Sequence, residues 1–438
     1  MGGLKGVFSG NTEFTSYSQV PWVSCSSSSL STDNLSKDVT NIDVLGDIYP
    51  LSTAYWFSGV GYNASTNFIA NLNKLHTDNV TNMSYMFSFT GRFASSWEIN
   101  GLNNFNTSKV TNMSYMFYCA AEGTINVSLN LSSFDTSNVT KMDGMFSSFG
   151  GAAKTYNISG LTNFNVSKVT SMKYMFYDFL NTADSWSFDF SGWNTSSLTD
   201  VYYMFYNAGS YSKSVYLNVR NWKMSHVTSF NDLFYYFGNN ASNSWRIVGL
   251  DTWDTSNVTD MAGTFYYAGW NAPSISINLS NWNTSKVTNM NRMFYSFGYW
   301  ADSWSIGNLS NWDVSKVTSM AYMFDSAGGL SYSLNINLKN WNTSKVTNMQ
   351  SMFNSTGNYS RYVYIDISGF DMSNVTNVSN MFGAIWNASY YTWKVTIPKT
   401  NGLGVNNTTT VINGKNTSYD ITKNMGLNKN NARFTLAS

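Results

Sequence analysis

Hydrophobic and polar positions follow a pattern that recurs along most of the chain every 29 to 31 residues. Each unit reads Ser/Asn-x-Val-Thr-x-Met-x-x-Met-Phe. Eleven units share the valine position, which falls at Val80, Val110, Val139, Val169, Leu198, Val227, Val258, Val287, Val317, Val346 and Val375. Spacing this regular leaves no room for insertions, so each unit predicts one turn of a repeat solenoid.

The hydrophobic period changes within each unit. Val287, Met290, Met293 and Phe294 have the i, i+3, i+6, i+7 spacing of one face of a short helix. A second segment alternates apolar and polar residues, as in residues 275–279, with the period of a half-buried strand. The sequence therefore predicts about eleven turns of about 29–30 residues, each with one short parallel strand and one short helical segment. Such turns form a leucine-rich-repeat-like α/β fold or a β-solenoid.

A corner with an aromatic residue, an Asx and hydroxyl residues links strand and helical segment, as in Trp282-Asn283-Thr284-Ser285. The Asx side chain can accept a hydrogen bond from the amide two residues on and so turn the chain. The regular place of the aromatic favours a buried stack over a row of sugar-binding rings. The methionine pairs, beside valine and phenylalanine, favour core packing over a soft-metal site.

The repeats predict three parts of the chain. Residues 55–395 form the solenoid, beginning with a half-unit at Tyr55. Residues 1–54 have no repeat signature and are interpreted as an N-terminal cap or attachment segment. Residues 396–438, rich in Asn, Thr and Gly, are interpreted as a C-terminal cap or tail. Caps are expected because a solenoid leaves the core of its end turns open.

Composition narrows the possible partners. The chain has 11% charged residues and a net charge of +1, which gives no electrostatic footprint for nucleic acid or an anionic membrane. No apolar run reaches the roughly 20 residues that span a bilayer, and the first residues lack the apolar stretch of a secretory signal. We therefore expect neither a nucleic-acid partner nor membrane insertion.

Catalytic chemistry is not expected. The chain has two cysteines and two histidines, and it contains no nucleophile motif, phosphate loop or cluster of metal-ligand residues. The few acidic residues do not form a recurrent pair. The sequence therefore predicts a protein without catalytic residues, cofactor or metal.

One ten-residue motif points to a known family. Asn-Trp-Asn-Thr-Ser-Lys-Val-Thr-Asn-Met occurs at residues 281–290 and again at residues 340–349. It resembles the repeat of bacterial surface proteins first noted in mycoplasmas, which is grouped with the BspA-like leucine-rich repeats. The resemblance covers residues of about 55–395 and implies a secreted or cell-surface protein with a role in adhesion. The usual unit of that family is shorter by a few residues.

The expected function is non-enzymatic binding at the surface of a cell or virion, with a cell-surface glycan or protein as partner. Packing does not dictate the outward positions of the strands, so rings and charges there are candidates for ligand binding. These candidates are Glu98, Tyr216, Arg246, Tyr364 and Asp366. Asn240 and Asn387 are candidate glycosylation sites outside the Asx turns. The alternative function is a self-associating subunit of an extracellular filament, sheath or surface layer.

Overall fold

The computed structural model describes residues 37–44, 46–383, 392–397, 410–412, 415–417 and 433–436. The chain divides into two compact units. Unit 1 comprises Met1–Ser212 and Asn221–Lys223, and unit 2 comprises Lys213–Arg220 and Met224–Ser438. Each unit is a parallel β-solenoid, and the two contain about 12 turns in total. The solenoid predicted from the repeat spacing is confirmed.

Unit 1 contributes one short strand per turn. The strands are β1 (Asn41–Asp43), β2 (Asn67–Asn71), β3 (Ser96–Asn100), β4 (Asn126–Asn130), β5 (Thr155–Ser159) and β6 (Ser185–Asp189). Strands β1, β2 and β3 form one parallel sheet, and β4 pairs with β5 in a second. Strand β1 lies within the segment that was interpreted as a cap.

Unit 2 repeats this arrangement. Its strands are β7 (Ser214–Asn218), β8 (Ser244–Val248), β9 (Ser274–Ser276), β10 (Ser303–Ser305), β11 (Ser333–Asn337), β12 (Tyr362–Asp366), β13 (Thr392–Ile397), β14 (Thr410–Ile412), β15 (Lys415–Thr417) and β16 (Arg433–Leu436). Parallel pairing joins β7 to β8, β9 to β10, and β11, β12, β13 and β16 in that order. Strands β14 and β15 form an antiparallel pair.

The core is made of the residues that the repeat fixes. Val287, Met290, Met293 and Phe294 are completely buried. The corner aromatics are buried as predicted: in unit 2, Trp253, Trp282, Trp312 and Trp341 stack in turn with ring centroids 6.2–6.4 Å apart. The indole N–H of Trp282 donates to the carbonyl of Leu250 at 2.9 Å. Each corner tryptophan of this kind therefore joins two turns by ring contact and by hydrogen bond.

The segment predicted as a helix is a run of β-turns, and that prediction is wrong. Residues 46–383 contain no α-helix. The amide of Met293 donates within the turn to Met290, but that of Arg292 donates to the carbonyl of Ala321 in the next turn, at 2.9 Å. Arg292 and Ser296 have positive φ angles of 57° and 52°. Recurrent left-handed residues interrupt an α-helix, whereas a β-turn also brings residues i and i+3 together.

The half-unit predicted at Tyr55 is a complete turn. The amide of Thr53 donates to the carbonyl of Asn82 at 3.1 Å, and that of Phe57 donates to Met86 at 2.9 Å. These are the same inter-turn bonds that later repeats make, although the segment lacks the methionines of the repeat. The count of about eleven turns therefore becomes about 12.

Each of the four longer repeats has an extra glycine at a break in the sheets, and the 31-residue repeat has one further residue. Gly101, Gly160, Gly249 and Gly307 stand at the ends of strands, with φ between +84° and +99°. Short 3-10 helices follow three of them, at Leu102–Asn104, Leu161–Asn163 and Leu250–Thr252. The sheets end at the corresponding strands β3, β5, β8 and β10. A left-handed residue diverts the chain from the ladder, so each longer repeat ends a sheet.

Candidate binding surface on the strand face

The parallel register places the outward residues of neighbouring strands side by side. In unit 2, Tyr216 of β7 lies opposite Arg246 of β8, while the inward Val215 lies opposite Trp245. Val215 and Trp245 are buried, Tyr216 is half-buried and Arg246 is exposed. The two sequence-predicted residues therefore form a neighbouring pair of ring and charge on the outer face of the sheet.

A second predicted pair lies on β12. Tyr364, with 40% of its surface exposed, is opposite Asn335, and Asp366 is opposite Asn337. The carboxylate of Asp366 accepts a hydrogen bond from the amide of Ser368 at 3.0 Å. This bond closes a turn at the strand end and gives Asp366 a structural role. Tyr364 contributes an exposed ring beside the amide of Asn335.

A shallow groove lies between β10 and β11, where the glycine insertion ends the sheet. Gly307 stands at this break with φ +84°. The groove is lined by Trp304, Ile306, Asn308, Leu309, Asn335 and Asn337. Since Asn335 and Asn337 pair with Tyr364 and Asp366, the groove borders the predicted residues of β12. Apolar side chains and amide groups therefore line a concave part of the strand face, and Tyr364 stands beside it.

Other predicted residues do not join this surface. Glu98 is exposed on β3 in unit 1, where it lies opposite Ile69. Asn240 is half-buried, and its carbonyl accepts a hydrogen bond from the amide of Ser242 at 2.7 Å. Asn387 lies outside the described residues. The strand-face candidates of unit 2 are thus Tyr216, Arg246, Tyr364 and Asp366.

The asparagines and aspartates of the corners close turns. The side-chain oxygen of Asn283 accepts from the amide of Ser285 at 3.1 Å, and that of Asp313 accepts from Ser315 at 3.0 Å. The hydrogen bonds from Ser315 lower the pKa of Asp313, because they stabilise the carboxylate. The Asx turns predicted from the sequence are confirmed at these positions.

Among the described residues, no three His, Cys, Asp or Glu side chains lie close enough to share a metal ion. The same residues include no helix of the length and apolar character that a bilayer requires.

The sequence reasoning missed a set of exposed rings in the loops that precede the strands. Phe93, Tyr211, Trp300 and Tyr359 are 40–62% exposed. Each stands two residues after a left-handed glycine that ends the run of β-turns, as Trp300 follows Gly298. Aligning the repeats on that position would have found these rings, because the other repeats have Asn, Gly, Thr, Ala or Leu at the same place.

The comparisons with known proteins agree with the repeat architecture. The family model described as "Mycoplasma protein of unknown function, DUF285" matches residues 57–148, 122–245, 211–306, 236–330 and 297–413. The chain belongs to this family. No curated protein and no solved structure matches it. The matched residues of this DUF285 protein contain all eleven repeats that share the valine position.

Proposed function

We propose that this protein is a non-enzymatic binding module at the surface of a cell or virion, and that it recognises a glycan or a protein through its strand face. Its membership of a mycoplasma repeat family supports this proposal. So does the finer resemblance of its ten-residue motif to BspA-like surface repeats, for which adhesion is proposed. The low charge of the chain favours recognition by hydrogen bonds and ring contacts over long-range attraction.

The observation that carries the proposal is the contrast between the two sides of each strand. Inward residues such as Val215 and Leu217 are fully buried, and the neighbouring strand has the apolar Trp245 and Ile247 at the same positions. Outward residues vary, and they place Tyr216 beside Arg246 and Tyr364 beside the groove. Tyrosine and arginine often dominate the free energy of binding, so a variable outward face with these residues suits ligand recognition.

Replacing Tyr216, Arg246 and Tyr364 together with Ser should abolish attachment of the labelled protein to a panel of animal and bacterial cells. Arg246→Ser and Tyr364→Ser should each shift stability by under about 0.5 kcal/mol, because both residues are exposed, whereas the half-buried Tyr216 accounts for most of any change in thermal unfolding. Tyr211→Ser is a matched control, because it removes an exposed ring away from the strand face. If the triple variant attaches to cells as well as the parent does, the strand face is only a solvated surface and the proposal is refuted.

A further inference from the structure

Exposed rings concentrate at one edge of unit 2, where the loops enter strands β9 to β12. We name this surface the aromatic edge, and it consists of Trp270, Tyr299, Trp300, Tyr332, Tyr359 and Tyr362. Trp300, Tyr332 and Tyr359 are 42%, 60% and 40% exposed, and the other three rings are half-buried. They come from four successive turns, so at about 4.8 Å per turn the row extends over about 15 Å.

The rings of the aromatic edge contact one another. Trp270 stacks on Tyr299 at 6.0 Å, and the Trp300 ring stands nearly perpendicular to both, at 5.8 Å and 5.3 Å. In the next two turns, Tyr332 and Tyr362 meet at 5.5 Å with an interplanar angle of 69°. These contacts hold the half-buried rings in fixed orientations and leave the exposed rings facing water.

Gly329 connects the two groups of rings. A β-carbon at this glycine would come within 2.6 Å of the Tyr299 ring, so that ring occupies the space a side chain would need. The pKa of Tyr299 is raised, first by burial and then by the charge of Tyr359 and a side-chain hydrogen bond to it. Tyr299 therefore interacts with Tyr359, which lies two turns further along the chain, and this interaction links the two groups of rings.

A cation completes the surface. The guanidinium of Arg361 lies 5.7 Å from the centre of the Tyr332 ring and 5.6 Å from that of Tyr362. Cation–π contacts of this kind orient an arginine without neutralising it. Arg361 is exposed and, within the described residues, makes no ion pair. Its charge is therefore available to a ligand.

Unit 1 contains an arginine in similar aromatic surroundings, but this arginine has a carboxylate partner. Arg92 lies 5.0–5.5 Å from the rings of Tyr62, Phe89 and Phe93. It also donates to the carboxylate of Glu122 and, at 2.9 Å, to the hydroxyl of Tyr62. The charge of Arg92 is thus satisfied within the protein. Aromatic rings therefore surround an arginine both with and without a carboxylate partner. Among the described residues, the lack of such a partner distinguishes Arg361 of the aromatic edge from Arg92.

We propose that the aromatic edge binds an acidic glycan, whose sugar rings stack on Trp300, Tyr332 and Tyr359 while Arg361 binds a sugar carboxylate. This inference rests on the proposed binding function, to which it adds a second surface with a stated ligand class. Arginine matches a carboxylate with two parallel hydrogen bonds, and flat aromatic faces suit the C–H groups of sugar rings.

The shape of the surface favours a glycan over a protein. Stable protein interfaces bury about 800 Å² on each partner and have a broad apolar centre. The aromatic edge is a narrow row, and its neighbours include Asn271, Ser303 and Ser333. A narrow row of rings with polar flanks fits a linear chain of sugars, which contacts one turn after another.

The test uses calorimetric titration with three acidic probes: an oligogalacturonate, a hyaluronan oligosaccharide and sialyllactose. Each is paired with an uncharged counterpart, namely the methyl ester, the carboxyl-reduced oligosaccharide and lactose. At least one acidic probe should bind more tightly than its counterpart. Arg361→Gln should weaken that binding by about tenfold or more and abolish the preference, because a hydrogen bond to a charged group is lost. Trp300→Ala should weaken binding to both members of the pair.

Arg246→Gln is the matched control, since it removes an exposed arginine from the strand face of the same unit. Binding lost in Arg246→Gln but kept in Arg361→Gln would overturn the aromatic-edge site and leave the proposed function standing. If sulfated heparin binds and none of the three carboxylated probes does, Arg361 does not bind a carboxylate and that part of the inference is wrong. If no glycan binds and the parent still attaches to cells, the ligand is a protein and the inference is wrong.

Discussion

The corner aromatic stack and the aromatic edge of unit 2 use the same residue types in opposite ways. Trp282 of the stack is 3% exposed, and its indole N–H is bonded to the preceding turn. The ring of Trp300 of the edge is packed against those of Trp270 and Tyr299, and the residue is 42% exposed. An aromatic stands at the Trp282 position in ten of the eleven repeats, the exception being Leu75, but at the Trp300 position only in some. The recurrent aromatic therefore packs in the core, whereas the ring at the variable position is exposed to solvent.

The largest effect expected from this contrast is on stability. Trp282→Ala should lower the free energy of unfolding by about 3–5 kcal/mol, because it opens a cavity between Trp253 and Trp312. Trp300→Ala should lower it by under about 0.5 kcal/mol, as expected of an exposed site. Chemical denaturation of the two variants measures both values. Equal losses would mean that the edge rings are part of the core, and the contrast would fail.

An acidic residue sharpens the comparison, since it departs from the repeat and yet is buried. Asp325 stands where the preceding turns have Tyr266 and Tyr295, and it is 3% exposed. Its carboxylate accepts hydrogen bonds from Asn354 at 3.0 Å and Ser326 at 2.8 Å. Burial nevertheless raises its pKa to about 6. The folded state therefore favours the protonated acid.

Because the pKa of Asp325 is higher in the folded than in the unfolded protein, the acid stabilises the fold at a pH below the unfolded pKa of about 3.8. That stabilisation is lost as the pH rises through the folded pKa of about 6. Asp325→Asn removes this dependence. Relative to the parent, the variant should gain on the order of 2–3 kcal/mol between pH 4 and pH 7. Denaturation of both proteins at pH 4, 5.5 and 7 tests this, and a difference that does not change with pH would contradict a buried acid at this position.

The sequence predicted the turn and its strand, because inward positions such as those of Val215 and Leu217 must be apolar in each turn of the core. It did not predict the β-turns. A residue such as Arg292 gives no sign of its left-handed backbone, and the i, i+3 spacing fits both a helix and a β-turn. The half-unit at Tyr55 was undercounted, because hydrogen bonds between turns preserve the fold even where the methionines are absent.

The binding surfaces were predicted in part. Alternation along the strands identified outward residues such as Tyr216 and Arg246, and the register places them side by side. The aromatic edge depends on contacts between turns about 30 residues apart. The ring of Tyr299 lies over Gly329, and the ring of Tyr332 contacts the ring of Tyr362. Such contacts require the register of the turns, which the pattern within one repeat does not contain.

Deleting residues 287–345, two whole repeats, tests most directly whether recurrent positions carry the fold and irregular ones the binding. The deletion joins Lys286 to Val346 and removes Tyr299, Trp300 and Tyr332. Because each turn contacts its neighbours through the recurrent positions, the shortened protein should unfold cooperatively and lose acidic-glycan binding. Deleting one and a half repeats, residues 287–330, should prevent folding. An unfolded two-repeat deletion, or a folded one that still binds acidic glycan, would contradict the account.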